Sequence, residues 1–329
     1  MTGQRQPPSI GVCFPRELDP RLIRNVATRA DAGGVDQLWV IEDCFYTAGI
    51  SLAATALAVT ERLKVGIGIL PAVVRNPAIV AMELATLAGL APGRIIGGIG
   101  HGVQDWMGQI GARQPSPVTA LEEVILAVRR LLAGETVTMS GRFVQLDHVV
   151  LDRPPEPAPS VLAGVRGPVS LAAAGRCADG LVLAELSGPT AVRAAIDSAS
   201  PTRRFEVVTY SAMSIDQDRS AARRAMAGLI VELVEQGAPP GLSANWFYDD
   251  LARLVEEHGE DAVDSFPDEW WPHLGAIGTP DDLAVHVDAL GAAGATTVAC
   301  FLPPEPDAAM EQLDRLIAAV ASGAATQPP

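Results

Sequence analysis

Apolar runs of strand length alternate with stretches of helical spacing along almost the whole chain. Ile10 to Phe14 precedes a helical stretch from Arg21 to Ala32, and Gln37 to Ile41 precedes another near Ile50 to Ala58. Val65, Ile67 and Ile69 alternate with glycines in a third strand, Leu63 to Ile69, and Pro77 to Leu90 follows with proline at the first helical position. Ile95 to Ile99 with Thr119 to Leu132, Ser160 to Ala163 with Val169 to Arg176, and Gly180 to Leu183 with Pro189 to Ser198 continue the pattern. Phe205 to Tyr210, a helix from Ser220 to Glu235, and a last strand from Thr297 to Leu302 between helices Pro280 to Leu290 and Asp307 to Val320 complete it.

Eight such pairs favour a TIM (β/α)8 barrel over an open doubly wound sheet, and the whole chain, 1–329, is read as one domain. Two stretches break the alternation. Gly134 to Asp152 reads as a hairpin about Ser140-Gly141, and 238–274 is a longer insertion rich in acids and aromatics. Insertions of that length lie over barrel sites or between subunits. Its tryptophans are expected to pack in a core or an interface rather than to stack on a cofactor.

Composition narrows the classes. The chain is 48% hydrophobic with a mean hydropathy of +0.23, enough to bury a large core, yet it holds no long uncharged apolar run. Met1 to Ser9 lacks the apolar core of a signal peptide, so a cytoplasmic protein with no membrane partner is expected. A formal charge of −15 repels nucleic acid. Cys13, Cys44, Cys177 and Cys300 form no CxxC pair, and the five histidines have no metal-ligand spacing; reduced thiols and no metal are expected.

In a barrel, chemistry belongs at the C-terminal ends of the strands. That selects Phe14, Glu42 to Tyr46, Gly68 to Arg75, Gly100 to Trp106, and Ala163 to Pro168. In the last of these, Gly164 and Gly167 permit close approach by a ligand, Pro168 opens a helix with free N–H groups, and Arg166 adds a charge. A phosphate suits that chemistry; a plain strand-to-helix turn with a solvated arginine suits it equally. "GGIGHG", 97–102, lacks the spacing of a dinucleotide fingerprint, but its glycines would let a flat ring lie at the strand ends beside His101. Glu42 and Asp43 form a possible acid pair or a turn cap.

The segments "GVDQLWVIED", "VGIGILPAVVRNPAIVAMELATLAGLAPGRIIGGIGHG", "VLAGVRGPVSLAAAGRCADGLVL" and "GTPDDLAVHVDALGAAGATTVACFLP" together resemble the luciferase-like monooxygenase superfamily. The likeness is greatest to its branch using the deazaflavin coenzyme F420, which includes methylene-tetrahydromethanopterin reductase. The resemblance implies a bacterial luciferase-like barrel with a flavin-like ring in its mouth. It places a bulge with a non-prolyl cis peptide at Gly68-Ile69 behind the ring, Gly100, His101 and Gly102 beside it, and Gly164, Val165, Arg166, Gly167 and Pro168 around its phosphate. Cys44 stands where many deazaflavin relatives have histidine, and Val103 where the sugar-phosphate branch has an acid, which argues against glucose-phosphate and alcohol oxidation.

The implied activity is hydride transfer between F420 and an organic substrate, with the cofactor carrying the redox chemistry. His101 is the first candidate for proton transfer, followed by Asp43 and Glu42; Phe14, Cys44 and Trp106 are candidates for the substrate pocket. Two alternatives stay open: an FMN-dependent monooxygenase, and a non-catalytic flavin-binding barrel. A homodimer is expected through apolar helix faces at Ile79 to Leu90 and Val118 to Leu132.

Overall fold

A computed structural model describes residues 7–184 and 186–323. Its strands are β1 Ser9–Phe14, β2 Gln37–Val40, β3 Lys64–Pro71, β4 Ile95–Gly100, β5 Val137–Ser140, β6 Gln145–Val149, β7 Val161–Gly164, β8 Gly180–Leu183, β9 Glu206–Ile215, β10 Gly275–Gly278 and β11 Thr297–Phe301. β1, β2, β3, β4, β7, β8, β9 and β11 pair in parallel in that order, and β11 returns to β1. This is the expected eight-stranded barrel, closed so that no edge remains.

Alternation along each strand divides the core. Cys13, Trp39, Leu162, Val182, Val208 and Tyr210 fill the lumen. Val12, Phe14, Val40, Ile67 and Ile99 face the surrounding helices. Proline opens six of those helices, at Pro77, Pro117, Pro168, Pro189, Pro280 and Pro306, where its fixed φ suits the first turn and its missing N–H costs nothing.

Three details depart from the sequence reading. The seventh barrel strand runs on to Ile215, and its far half pairs with β10, a strand not anticipated (Gly275 opposite Ala212, Gly278 opposite Ile215). Helix 220–235 is two helices, Arg219–Arg224 and Ala227–Glu235. In the β5–β6 hairpin Ser140 faces Gln145, so the loop is wider than a Ser140-Gly141 turn. The Glu123 carboxylate stabilises that wider loop by accepting from the amides of Arg142, Phe143 and Val144 at 2.7, 2.8 and 2.9 Å.

The acidic, aromatic insertion packs on the β9–β10 extension and forms a core of its own around Phe247, Leu251, Phe266, Trp270 and Trp271. Phe247 stacks on Trp270 at 4.7 Å. Its tryptophans, apart from the exposed Trp246, are therefore packing residues. No helix among the described residues is long and apolar enough to cross a membrane, and none of their His, Cys, Asp and Glu side chains gather in threes that could hold a metal. All four cysteines are free thiols.

Candidate active site

The C-terminal ends of the strands bring most of the selected residues to one mouth. At the end of β3 the register with β4 shifts between Ile67 and Leu70, and the Gly68–Ile69 peptide is cis. Ile69, partly exposed, turns its side chain toward three glycines: methyl groups placed on Gly98, Gly100 or Gly164 would crowd or overlap it. The glycines of "GGIGHG" thus serve two purposes. Gly98 and Gly100 make room for Ile69 inside the mouth, whereas Gly97 faces Leu84 outside the barrel.

Below Ile69 the lumen is sealed by aromatic rings. Trp39 meets Tyr210 edge-on at 5.9 Å, and Tyr210 meets Phe301 at 5.4 Å and 86°. The floor of the mouth is a closely packed aromatic layer.

The β7 loop lies beside the Gly68–Ile69 bulge, on the next strand after β4. Gly164 pairs with Gly100, Val165 is buried, and Arg166, Pro168 and Val169 are exposed. Gly167 is the N-cap of helix Pro168–Cys177; it supplies no side-chain cap, and nothing lies within 4 Å of where its side chain would project. The amides of the first turn therefore face open space at the positive end of the helix dipole. A phosphate fits this cradle.

The acid pair has two separate tasks. Glu42 is almost fully buried, gives its oxygens to Arg75 Nη1 and Nη2 at 2.5 and 3.0 Å, and accepts from the Gly49 amide at 2.9 Å. It clasps the ends of β2 and β3 to the helix Gly49–Ala58, with no lone oxygen turned to the mouth. Asp43 is more exposed and is bound to Arg16 Nη1 at 2.6 Å. Burial, with Asp43 and Glu42 adding to it, pushes the Cys44 thiol up, so it stays protonated at neutral pH.

His101 is partly buried between two helix N-termini. Its Nε2 shares a hydrogen bond with Ser170 Oγ at 3.0 Å, while Nδ1 is sealed from solvent without a partner. Burial lowers its pKa, opposed in part by the backbone at Pro117. Neutral at physiological pH, it braces the cradle helix.

The substrate-pocket candidates separate. Phe14 is a correction: Cys13 takes the lumen face of β1, so Phe14 is turned fully into the barrel–helix core and does not line the mouth. Trp106 stands on the rim with Phe45 at 6.2 Å and Tyr46 at 6.1 Å, both from the selected 42–46 loop. The Arg16 guanidinium lies over Tyr46 at 4.6 Å and over Trp106 at 5.4 Å. Phe45 adopts φ 76°, an unfavourable backbone for a bulky residue, and is largely exposed. Ser170 and Tyr210 were missed, and only their three-dimensional neighbours mark them.

The family model for luciferase-like monooxygenases matches residues 4–297. The chain belongs to that family. Among curated luciferase-like relatives it is 29% identical to the 5,10-methylenetetrahydromethanopterin reductase of Archaeoglobus fulgidus, over 84% of this chain and 88% of that one. It is 31% identical to an F420-dependent glucose-6-phosphate dehydrogenase of Kineococcus radiotolerans, over 50% of this chain and 52% of the relative. The solved coenzyme F420 dependent tetrahydromethanopterin reductase of Methanopyrus kandleri superposes with a TM-score of 0.77 at 22% identity, covering 94% of this chain and 97% of that one. That likeness shows the luciferase-like fold.

Proposed function

We propose that this luciferase-like chain is an oxidoreductase that moves a hydride between coenzyme F420 and a small organic substrate. One observation carries the reading: an uncapped helix N-terminus at Gly167–Val169 and the bulge at Gly68–Ile69 open on the same mouth, a seat for an anionic tail and a flat ring together. Relatives named for F420 favour that ring over others of similar shape. When bound, the deazaflavin supplies the hydride-carrying carbon; the protein supplies position, dehydration and a proton.

Each residue then has a task. Arg166 and the first-turn amides hold the tail, Ile69 supports the back of the ring, and Gly100 to Gly102 bound its side. The order of proton-transfer candidates changes with the geometry. His101 has one nitrogen on Ser170 and the other sealed, and Glu42 is spent on Arg75, so we assign the proton to Asp43, which Arg16 keeps at the rim. Phe45, Tyr46 and Trp106 wall the substrate side.

The test is a titration of F420 with the protein, followed by fluorescence quenching, with FMN in parallel. Saturable quenching of F420 and none of FMN is expected. Saturation by FMN alone would replace hydride transfer with flavin monooxygenation, and saturation by neither would leave a barrel without a cofactor.

A homodimer belongs to the same proposal. Ile79, Met82 and Leu90 form an exposed apolar stripe on helix Pro77–Leu90. The second face anticipated, on helix Pro117–Leu132, is consumed within the chain: Leu121, Val124, Ile125, Val128 and Leu131 are buried in its own core. Light scattering at two chains per particle is expected, with Met82→Glu shifting the mass toward one.

A further inference from the structure

Tyr210 projects from β9 into the lumen and is 1% exposed. Its hydroxyl has no hydrogen-bond partner among the described residues. Complete burial pushes the phenol well above its usual pKa, so the group is a neutral O–H. An unpaired buried hydroxyl is destabilising, and phenylalanine would fill the same ring volume without that penalty. The lumen therefore carries a destabilising atom, and its position is informative. The hydroxyl lies against Gly68, where any side chain would overlap it and also come within 3.1 Å of the ring carbon that bears it. Gly68 is the first residue of the bulge. Ile69, the second, is confined on its other sides by Gly98, Gly100 and Gly164.

We propose that Tyr210 is a positioning residue for the cofactor seat: its hydroxyl is a stop beneath Gly68 that sets the height of the bulge and so the place at which Ile69 meets the ring. The proposal rests on the reading of the mouth as an F420 site. It explains why a group that weakens the core stands at this point, directly under the support, and why Gly68 must remain glycine.

The test is Tyr210→Phe, which removes one oxygen and keeps the aromatic packing with Trp39 and Phe301. The unliganded variant is expected to melt at the wild-type temperature or above it. F420 affinity by fluorescence quenching is expected to fall roughly tenfold, and the absorption band of bound F420 to move from its wild-type position, because a support displaced by a fraction of an ångström misplaces the ring. Gly68→Ala is expected to abolish F420 binding in the wild-type background and to recover part of it in Tyr210→Phe. Wild-type affinity and spectrum in Tyr210→Phe would overturn the proposal, as would a fall in melting temperature matching the fall in affinity, the mark of a purely structural hydroxyl. If the wild-type chain itself failed to bind F420, the proposed function would fall first and this inference with it.

Discussion

His101 and His286 are built alike and finished differently. Each sets Nε2 against a serine hydroxyl, Ser170 at 3.0 Å and Ser211 at 2.9 Å. His286, on the helix Pro280–Ala293, completes its second nitrogen with the Pro272 carbonyl at 2.7 Å. A carbonyl only accepts, so Nδ1 of the neutral ring carries the proton and Nε2 accepts from Ser211. His101, at the mouth, makes no such well-aligned hydrogen bond at Nδ1, and the Pro117 backbone only partly offsets its burial. The saturated histidine fastens the insertion to the barrel, while the unsaturated one braces a helix whose first turn faces an open cradle. Unpaired buried polar atoms occur at the mouth, at His101 and Tyr210, and also in and beside the insertion, at Arg223, Asn245, Trp271 and His273, so an orphaned atom bears on the site only where the geometry places it there.

The largest effect that would sharpen this contrast is at His286. His286→Ala leaves the Ser211 hydroxyl and the Pro272 carbonyl buried without partners and opens a cavity, for about 3–5 kcal/mol by denaturant unfolding. F420 affinity is expected to be unchanged. An equal loss of stability on His101→Ala would erase the difference between the two sites.

Acid titration tests the same residue by another route. Burial, reinforced by His273 and opposed by the Pro272 carbonyl, lowers His286 from 6.5 to about 4. In the window between those values the unfolded chain binds a proton that the folded chain does not, so stability is intact above pH 6.5 and falls as the pH drops toward 4. The loss is about 3 kcal/mol. Unfolding midpoints measured from pH 7 to 4 should show this slope in the wild type and a shallower one in His286→Gln; parallel slopes would refute the assignment.

The barrel was legible because alternation between apolar strands and proline-started helices is a local signal, and a parallel barrel repeats it eight times. Where neighbours alone satisfy a polar residue, the signal failed. Thr209, Ser211 and Ser214 interrupt the apolar run of β9 and made it read as ending at Tyr210, yet all three are buried, Thr209 donating to the Ser187 carbonyl and Ser211 to His286. β10, with the sequence Gly-Ala-Ile-Gly, is too short and small to announce itself. The site divides in the same way. Its backbone parts, the glycines at 68, 100, 164 and 167 and the proline at 168, were readable because each constrains its own residue. Its side-chain parts were not, since Arg16 with Asp43, Arg75 with Glu42, and Ser170 with His101 are joined across 27, 33 and 69 positions.

On the mouth side, the cradle should respond to charge. Arg166→Ala is expected to weaken F420 about tenfold, as loss of one charge-assisted contact to a phosphate would. Because Arg166 is exposed, the difference from wild type should narrow as salt rises toward 0.5 M. A difference that is independent of salt would mean that the arginine acts through packing.

The smallest effect separates bracing from fold at His101 itself. Ser170→Ala removes the Nε2 partner but leaves the helix amides of the cradle in place, so about 1 kcal/mol of stability is expected to go, a fraction of the His286→Ala loss. The consequence for binding should exceed that for folding: the cradle helix, no longer tied to the loop after β4, holds the phosphate less firmly, and F420 affinity is expected to drop roughly three- to fivefold. Ser170→Thr restores the hydroxyl and should recover most of the affinity. If Ser170→Ala instead bound F420 as tightly as the wild type while losing stability like His286→Ala, both histidines would be fold residues, and the incomplete pairing at the mouth would carry no functional meaning.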